Sequence, residues 1–304
     1  LLLGASGLLG KTFVHEFSRH AVSAVCLDRQ GCDVNDAVQV RSVFDRVAPK
    51  IVINCTAYTK VDLAEKEREQ AFAINAAAVG NIAEVCKKHR ARLVHFSTDF
   101  VFDGSAREPY QPSDLTNAFS AYGQSKLEGE RLLRQIDPAG WMIARTSWLY
   151  GITGPCFPKT ILDRAKKGQP LTIVSDQVGS PTYAPDLAAA TLDLLGKDAS
   201  GVHHLTNSGQ CSWFEFARAI VSQFGIDADI QPITTAQFRE MRPEQAMRPA
   251  YSVMVDPEVP ALLGHPMRPW QDALASYDAD WTNLYGVGER LRRLQPRGSG
   301  TSGH

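Results

Sequence analysis

Three glycines, Gly4, Gly7 and Gly10, follow the apolar stub Leu1-Leu2-Leu3 at three-residue spacing. Glycine lets such a turn tighten and lets the backbone approach a pyrophosphate at the amino end of the next helix. A glycine triplet alone is weak evidence, and a plain turn accounts for it equally well. The rest of the chain narrows the choice. Short apolar runs alternate with longer helical patterns, which is the rhythm of βαβ units and a parallel sheet. Residues 24–27 read as a second strand ending at Asp28, and residues 51–53 as a buried strand ended by Asn54. Residues 93–96 form the next strand and deliver Ser97 and Thr98 at its carboxyl end, and 141–145 form another. Helices are expected through Phe13, Val14 and Phe17, and through Val38, Val43, Phe44 and Val47 behind a cap at Asn35. A long helix should run through Ala71, Ile74, Ala78, Ile82 and Val85, and another over 121–136.

The spacing therefore predicts an α/β fold, a Rossmann-type doubly wound parallel sheet over residues 1–150, with later returns to it near 179–209. The alternation weakens after Gly151. Helices are expected at 186–196 and 212–224 and strands at 171–174 and 202–206, while 232–270 has no clean periodicity. A smaller C-terminal substrate-binding domain is expected mainly within 151–290, followed by a disordered tail over 291–304.

Composition excludes several function classes. Lys+Arg 32 against Asp+Glu 33 leaves a formal net charge of −1, so no basic excess calls for nucleic acid. No apolar stretch reaches the roughly 18 residues that a membrane span needs. The six cysteines contain no CxxC pair and read as buried thiols of a reducing compartment. The chain opens without Met, which implies a short preceding leader. The expected location is the cytoplasm, and a homodimer is compatible with the sequence. His95, His203 and His204 lie in apolar runs without ligand spacing, so they read as core histidines and no metal site is expected. The run Glu65-Lys66-Glu67-Arg68-Glu69 reads as an exposed helix with local ion pairs.

The chemistry is concentrated in Tyr122-Gly123-Gln124-Ser125-Lys126. A Tyr and a Lys four apart share one helical face, where an ammonium can lower the phenol's pKa and favour proton transfer. The Thr98 hydroxyl, 24 positions upstream, can polarise a substrate carbonyl toward the same phenol. Asp28 follows Gly10 by 18 residues, where a carboxylate would accept from the adenosine ribose hydroxyls. Arg29 beside it tolerates a 2′-phosphate, so either NADH or NADPH is admitted as cofactor. Together these parts describe carbonyl reduction.

Further motifs narrow the choice again. They are Asn54-Cys55-Thr56-Ala57-Tyr58-Thr59-Lys60-Val61-Asp62 with Ala64-Glu65, and Asn75. Ser97-Thr98-Asp99-Phe100-Val101-Phe102-Asp103-Gly104 and Arg145-Thr146-Ser147-Trp148-Leu149-Tyr150-Gly151 follow. Asp176-Gln177-x-Gly179-Ser180-Pro181-Thr182-Tyr183 and Arg248-Pro249-x-x-Ser252 complete the set. On these residues the chain resembles the extended short-chain dehydrogenase/reductases and, within them, the dTDP-4-dehydrorhamnose reductase family. The resemblance runs from Leu1 to about Tyr277. It implies NAD(P)H-dependent reduction of the C4 ketone of a nucleotide-sugar, dTDP-4-dehydro-L-rhamnose, to dTDP-L-rhamnose.

The resemblance also implies roles. Thr98, Tyr122 and Lys126 would be catalytic. The cofactor would be held by Gly4, Ser6, Gly7, Leu8, Leu9 and Gly10, by Asp28, Arg29, Asp33 and Val34, and by Asn54, Cys55, Thr56, Ala57 and Tyr58. Asn75 and Ser97, with Tyr122 and Lys126, would complete that site. Thr59, Asp99, Phe100, Val101, Trp148 and Arg248 would face the nucleotide-sugar. Phe100 stands where the family often has Tyr, and Cys156-Phe157 where it often has Asn-Phe. Two other readings share the scaffold. Sugar-nucleotide epimerases and dehydratases retain NAD through a full cycle, but dehydratases usually place Glu where Phe100 stands. The regulatory β subunit of methionine adenosyltransferase is a binding protein, and that reading predicts a partner enzyme and no turnover.

Overall fold

In a computed structural model of the chain, residues 1–285 are described. The expected disordered tail over 291–304 lies outside them. Five strands, β1 (Leu2–Leu3), β2 (Cys26–Leu27), β3 (Ile51–Asn54), β4 (Arg92–Thr98) and β5 (Met142–Thr146), join Gly201–His204 in one sheet. Reading from that last strand the order is β5, β4, β3, β1, β2, and every pairing is parallel. The chain winds in opposite directions from β1, so β2 and β3 flank it. In such sheets ligands bind beyond the strands' carboxyl ends where the winding reverses. Asn54 and Thr98 are the last residues of β3 and β4 there.

Helices cover both faces because each carries one apolar stripe. On one face Leu9, Phe13 and Phe17 of α1 (Leu8–Arg19) pack with Leu187, Ala188 and Leu194 of the helix Ala184–Gly196. On the other, Val40, Val43 and Phe44 of α2 (Ala37–Val47) meet Val79 and Ile82 of Ala78–His89 and Leu133 of Ala121–Ile136. A further core, rich in aromatic rings, gathers Tyr150, Tyr183, Phe216, Trp270, Tyr277 and Trp281. It lies among the helices Phe157–Lys166, Trp213–Gln223 and Trp270–Tyr285. No helix among the described residues is long and apolar enough to cross a membrane.

Several local expectations are corrected. Asp36, not Asn35, caps α2, its carboxylate accepting from the Val38 and Gln39 amides. Asn35 instead turns its own amide to the Asp33 carboxylate. The second strand is shorter than residues 24–27. The long helix through Ala71 and Val85 runs without a break from Arg68 to His89 but widens into a π-turn over Ala73–Ala77. Residues 65–67 lie between two short helices rather than on one, and the acidic run reaches distant groups. Glu65 accepts from the Ala121 amide at 2.9 Å, and the Tyr58 hydroxyl donates to Glu67 at 2.7 Å. The stretch 232–270 holds the short helices Thr235–Met241 and Val259–Leu263. Between them residues 250–255 bond through their backbone to Val178 on one side and Tyr110 on the other.

A buried ion pair lies beneath the sheet's carboxyl ends. Arg145 donates from Nε and Nη2 to the two Glu130 oxygens at 2.9 and 2.7 Å, with both residues essentially inaccessible. Arg134 adds a third bond to Glu130. Buried His204 stands against Arg145 through Nε2 and faces the Tyr110 and Val255 carbonyls through Nδ1.

Candidate active site

The glycine turn forms a cradle at the amino end of α1. Gly4 has φ +81°, and a Cβ on Gly10 would stand 2.1 Å from the Gly4 carbonyl oxygen, so the helix can start this close to β1 only with glycine there. Gly7 is the N-cap, no side chain among the described residues caps it, and the first turn holds no acid. The amides and positive end of α1 therefore face outward, as an anion site requires. Beside the turn is a cavity of about 570 Å³ lined by Ser6, Asp28, Arg29, Gln30, Asp33 and Gln39. These residues fit an adenosine diphosphate portion of a dinucleotide.

Asp28 is less free than expected. Its Oδ1 accepts from the Gln30 and Gly31 amides at 3.0 and 3.1 Å, shaping the loop as well as lining the cavity. Arg29 is exposed and paired with Asp33 at 3.4 Å. Val34 is buried in the core with Leu3 and Phe44, so its side chain is structural. Leu9 is buried in the core on the opposite face of the sheet, and Leu8 lies partly buried beside Gly151.

The β3 loop is held from within. Asn54 Oδ1 accepts from the Thr56 amide and hydroxyl at 3.1 and 2.6 Å. Ala57 and Thr59 are exposed on the same loop, whereas Cys55 is partly covered. Burial pushes the Cys55 thiol far up, which leaves it protonated. Asn75 does not line the loop's open side. Its Oδ1 accepts from the Tyr58 amide, and its Nδ2 donates to the Tyr58 carbonyl and the Ser125 hydroxyl, at 2.8, 3.0 and 2.9 Å. With every polar atom engaged inside the protein, Asn75 ties the β3 loop to the Tyr122 helix.

That helix, Ala121–Ile136, begins at Ser120, whose hydroxyl accepts from the Gly123 amide at 3.1 Å. Its first residue, Ala121, is the one whose amide is taken by Glu65. The helix presents Tyr122 edge-on to Phe100, with ring centroids 5.5 Å apart. The Thr98 hydroxyl lies close enough to the phenol to lower its pKa, donates to Asp99 Oδ1 at 3.0 Å and accepts from the Phe100 amide. With its own proton given to Asp99, the Thr98 oxygen is left to accept from the protonated phenol. Burial raises the Asp99 carboxyl to about 6, with nearby Ser252 and the bond from Thr98 opposing.

The phenol itself is pushed up to about 12, first by burial, with Thr98 opposing and the Asp99 charge adding. The expected lowering by Lys126 is not among these causes. Lys126 is buried and turned to β4, donating to the Phe96 carbonyl at 2.6 Å and meeting His95 Nε2 at 3.2 Å. Burial lowers its amine to about 8, against the nearby Glu130 and Cys55.

The structure thus brings Ser97, Thr98, Asp99, Phe100, Tyr122 and Lys126 together at the end of β4. Val101 is not with them, because it is wholly buried among Phe102, Tyr110 and Met254. Trp148, with φ +47°, stacks on Trp213 at 3.5 Å between ring centroids and joins the aromatic core. Arg248 is engaged by Asp62 at 2.9 and 3.1 Å and by the Ala246 carbonyl. The sequence reading missed Glu65, Trp213 and the buried Glu130 as parts of this assembly. Ser212-x-x-Glu215, a capping box before Trp213, was a signal for that ring's place. Nothing local marks Glu65 as the cap of a helix 56 positions away.

A family model described as the RmlD substrate binding domain matches residues 1–282. The chain belongs to this family. The spore coat polysaccharide biosynthesis protein SpsK of Bacillus subtilis is 38% identical over 277 residues, covering 91% of this chain and 95% of the relative. The dTDP-4-dehydrorhamnose reductase of Aggregatibacter actinomycetemcomitans is 35% identical over 294 residues, covering 92% and 98%. Among solved structures, dTDP-4-dehydrorhamnose reductase from Bacillus anthracis in complex with NADP superimposes with a TM-score of 0.87. It is 36% identical, and the match covers 92% of this chain and 98% of that one.

Proposed function

We propose that this chain is an NAD(P)H-dependent reductase of nucleotide-sugar biosynthesis, converting the C4 ketone of dTDP-4-dehydro-L-rhamnose to the alcohol of dTDP-L-rhamnose. The observation that carries this reading is the placement of Thr98 beside Tyr122 at the end of β4, both in contact with Phe100, on the same sheet edge as the glycine cradle. Near-full-length similarity to dTDP-4-dehydrorhamnose reductases supports the substrate class.

The nicotinamide, when bound, supplies a hydride to the carbonyl carbon. Tyr122 is assigned the proton that the developing alkoxide needs. Thr98 is assigned a hydrogen bond to the same oxygen, where charge grows in the transition state. Phe100, edge-on to Tyr122, is assigned to hold the phenol's ring in place. Lys126 is assigned to the cofactor side of the pocket. The aromatic core around Trp148 and Trp213, with the segment after Arg248, is proposed as the substrate-binding domain, and Arg248 as a partner for the nucleotide's negative charge.

The test is to supply dTDP-4-dehydro-L-rhamnose with NADH or NADPH, follow loss of absorbance and identify the product. Tyr122→Phe, checked for intact fold, should reduce substrate about 10²–10⁴-fold more slowly in a single turnover. Near-normal reduction by that variant would mean another group donates the proton. Absence of turnover in the unaltered chain would favour a binding protein on this scaffold.

A further inference from the structure

Directly under Lys126 lies a hydrogen-bonded chain with a fixed direction. The Thr56 backbone amide can only donate, so the atom of Asn54 that faces it at 3.1 Å is the oxygen. The Asn54 nitrogen therefore faces His95, and Nδ2 stands 3.3 Å from the ring's Nδ1. An amide nitrogen also only donates, so Nδ1 must accept. A neutral imidazole with an accepting Nδ1 carries its proton on Nε2. That N–H points at the Lys126 amine, 3.2 Å away.

An amine can accept a hydrogen bond, whereas an ammonium cannot. With Lys126 as ammonium, its N–H would meet the Nε2 proton unless the imidazole changed tautomer. The changed tautomer would set Nδ1–H against the Asn54 amide. Either way the charged lysine leaves one contact opposed. His95 is wholly buried, so no solvent relieves it.

We propose that His95, locked by Asn54 in the Nε2-protonated form, is a positioning residue that biases Lys126 toward its amine form. The proposal rests on reading Lys126 as a catalytic group. Lysine is then not a permanent cation beneath the phenol but a group that both holds and releases a proton near neutral pH.

The surrounding charges do not account for this bias. Burial is the largest influence lowering the Lys126 amine. The carboxylate of Glu130, from the same helix, opposes it by favouring the ammonium, while the Cys55 thiol of the β3 loop is protonated and carries no charge. Glu130 is largely neutralised by Arg145 of β5 and by Arg134. Burial holds the His95 imidazole well below its usual range, and the neighbouring Lys126, when charged, adds to this. An imidazole kept neutral is what the directional chain requires.

The test uses the full chain without cofactor or substrate. In 13C-lysine-labelled protein the Lys126 Cε signal, identified by its loss in Lys126→Met, is followed from about pH 6 to pH 11. His95→Gln, whose carbonyl oxygen can accept from the ammonium, should raise the amine's proton affinity tenfold or more, about one pH unit. His95→Leu, which removes the opposing donor, should raise it less. An unchanged midpoint in both overturns the proposal. A 15N-histidine spectrum of the unaltered chain gives a second answer independent of any variant. His95 should show Nε2 protonated and Nδ1 bare, and the reverse tautomer overturns the proposal. In the reductase assay the pH limb that Lys126 controls should move with the NMR midpoint. If Lys126→Met reduces substrate normally, the catalytic reading of Lys126 fails, while the NMR result still decides the role of His95.

Discussion

Asp99 shows how a single buried carboxyl in this pocket shapes the behaviour of its neighbours. It takes the Thr98 proton when ionised, and burial holds its pKa near 6 rather than at the ordinary 3.8. The folded chain therefore binds this proton more tightly than the unfolded chain does. By linkage, stability should fall as pH rises from about 4 to about 6, by an amount on the order of a few kcal/mol. Asp99→Asn should flatten that slope. Its urea midpoint should exceed that of the unaltered chain at neutral pH and match it near pH 4. Equal slopes for the two proteins would show that the carboxyl is not strained by burial. The same residue limits what sequence can reveal. Thr98, Tyr122 and Lys126 were legible because their types and spacing carry the chemistry. Whether Asn75 faces the pocket or the interior depends on Tyr58, 17 positions away, and Val101 is drawn inward in part by the distant Met254.

The Tyr122 helix and the π-turn of Ala73–Ala77 meet backbone to backbone. A Cβ on Gly129 would stand 2.1 Å from the Asn75 carbonyl oxygen, closer than any repacking of side chains could relieve. Gly129→Ala should cost about 1–3 kcal/mol or more, and should displace Tyr122 and Ser125 with their helix. Gly196→Ala makes the matched control, because nothing lies within 4 Å of its Cβ position at the end of Ala184–Gly196. That change should stabilise by about 0.4–1 kcal/mol through the unfolded chain. Thermal unfolding of the two variants side by side measures the difference. If both behave alike, the close approach of the two helices is wrong. The helix over 121–136 was readable to the residue because Ser120 and the apolar stripe mark its bounds locally. The π-turn was not, since an inserted residue leaves Ala71, Ile74 and Ala78 compatible with an ordinary helical face. The acidic run at 65–69 misled for a related reason. Its charges suit a solvated helix, and only the tertiary fold places Glu65 at the amide of Ala121.

At the scale of the whole molecule, the ion pair Asp62–Arg248 joins the short helix Val61–Ala64, which follows the β3 loop, to the segment that threads between Tyr110 and Val178. Both side chains are partly exposed, so the pair should contribute no more than about 1 kcal/mol to stability. Arg248→Ala should therefore leave the melting temperature close to its original value. The KM for the nucleotide-sugar should rise several-fold while the KM for the nicotinamide cofactor stays constant. A rise in both would mean that the residue acts through the loop and not through the substrate. The parallel sheet was legible from the alternation of short apolar runs with helical stretches. The path of residues 250–255 was not, because a segment held by backbone bonds on both sides needs no pattern of its own.

The late arrival of the helix Ala184–Gly196 and the strand Gly201–His204 also bears on how this protein is made. Leu9, Phe13 and Phe17 find their apolar cover in a helix that follows them by more than 160 positions, and β5 gains its outer neighbour later still. A nascent chain that has left the ribosome only as far as Gly151 holds Thr98, Tyr122 and Lys126 yet lacks the helix that packs beside α1 on one face of its sheet. A fragment cut at that point exposes apolar surface that Leu187, Ala188 and Leu194 cover in the whole chain, so it should aggregate rather than work as a small reductase.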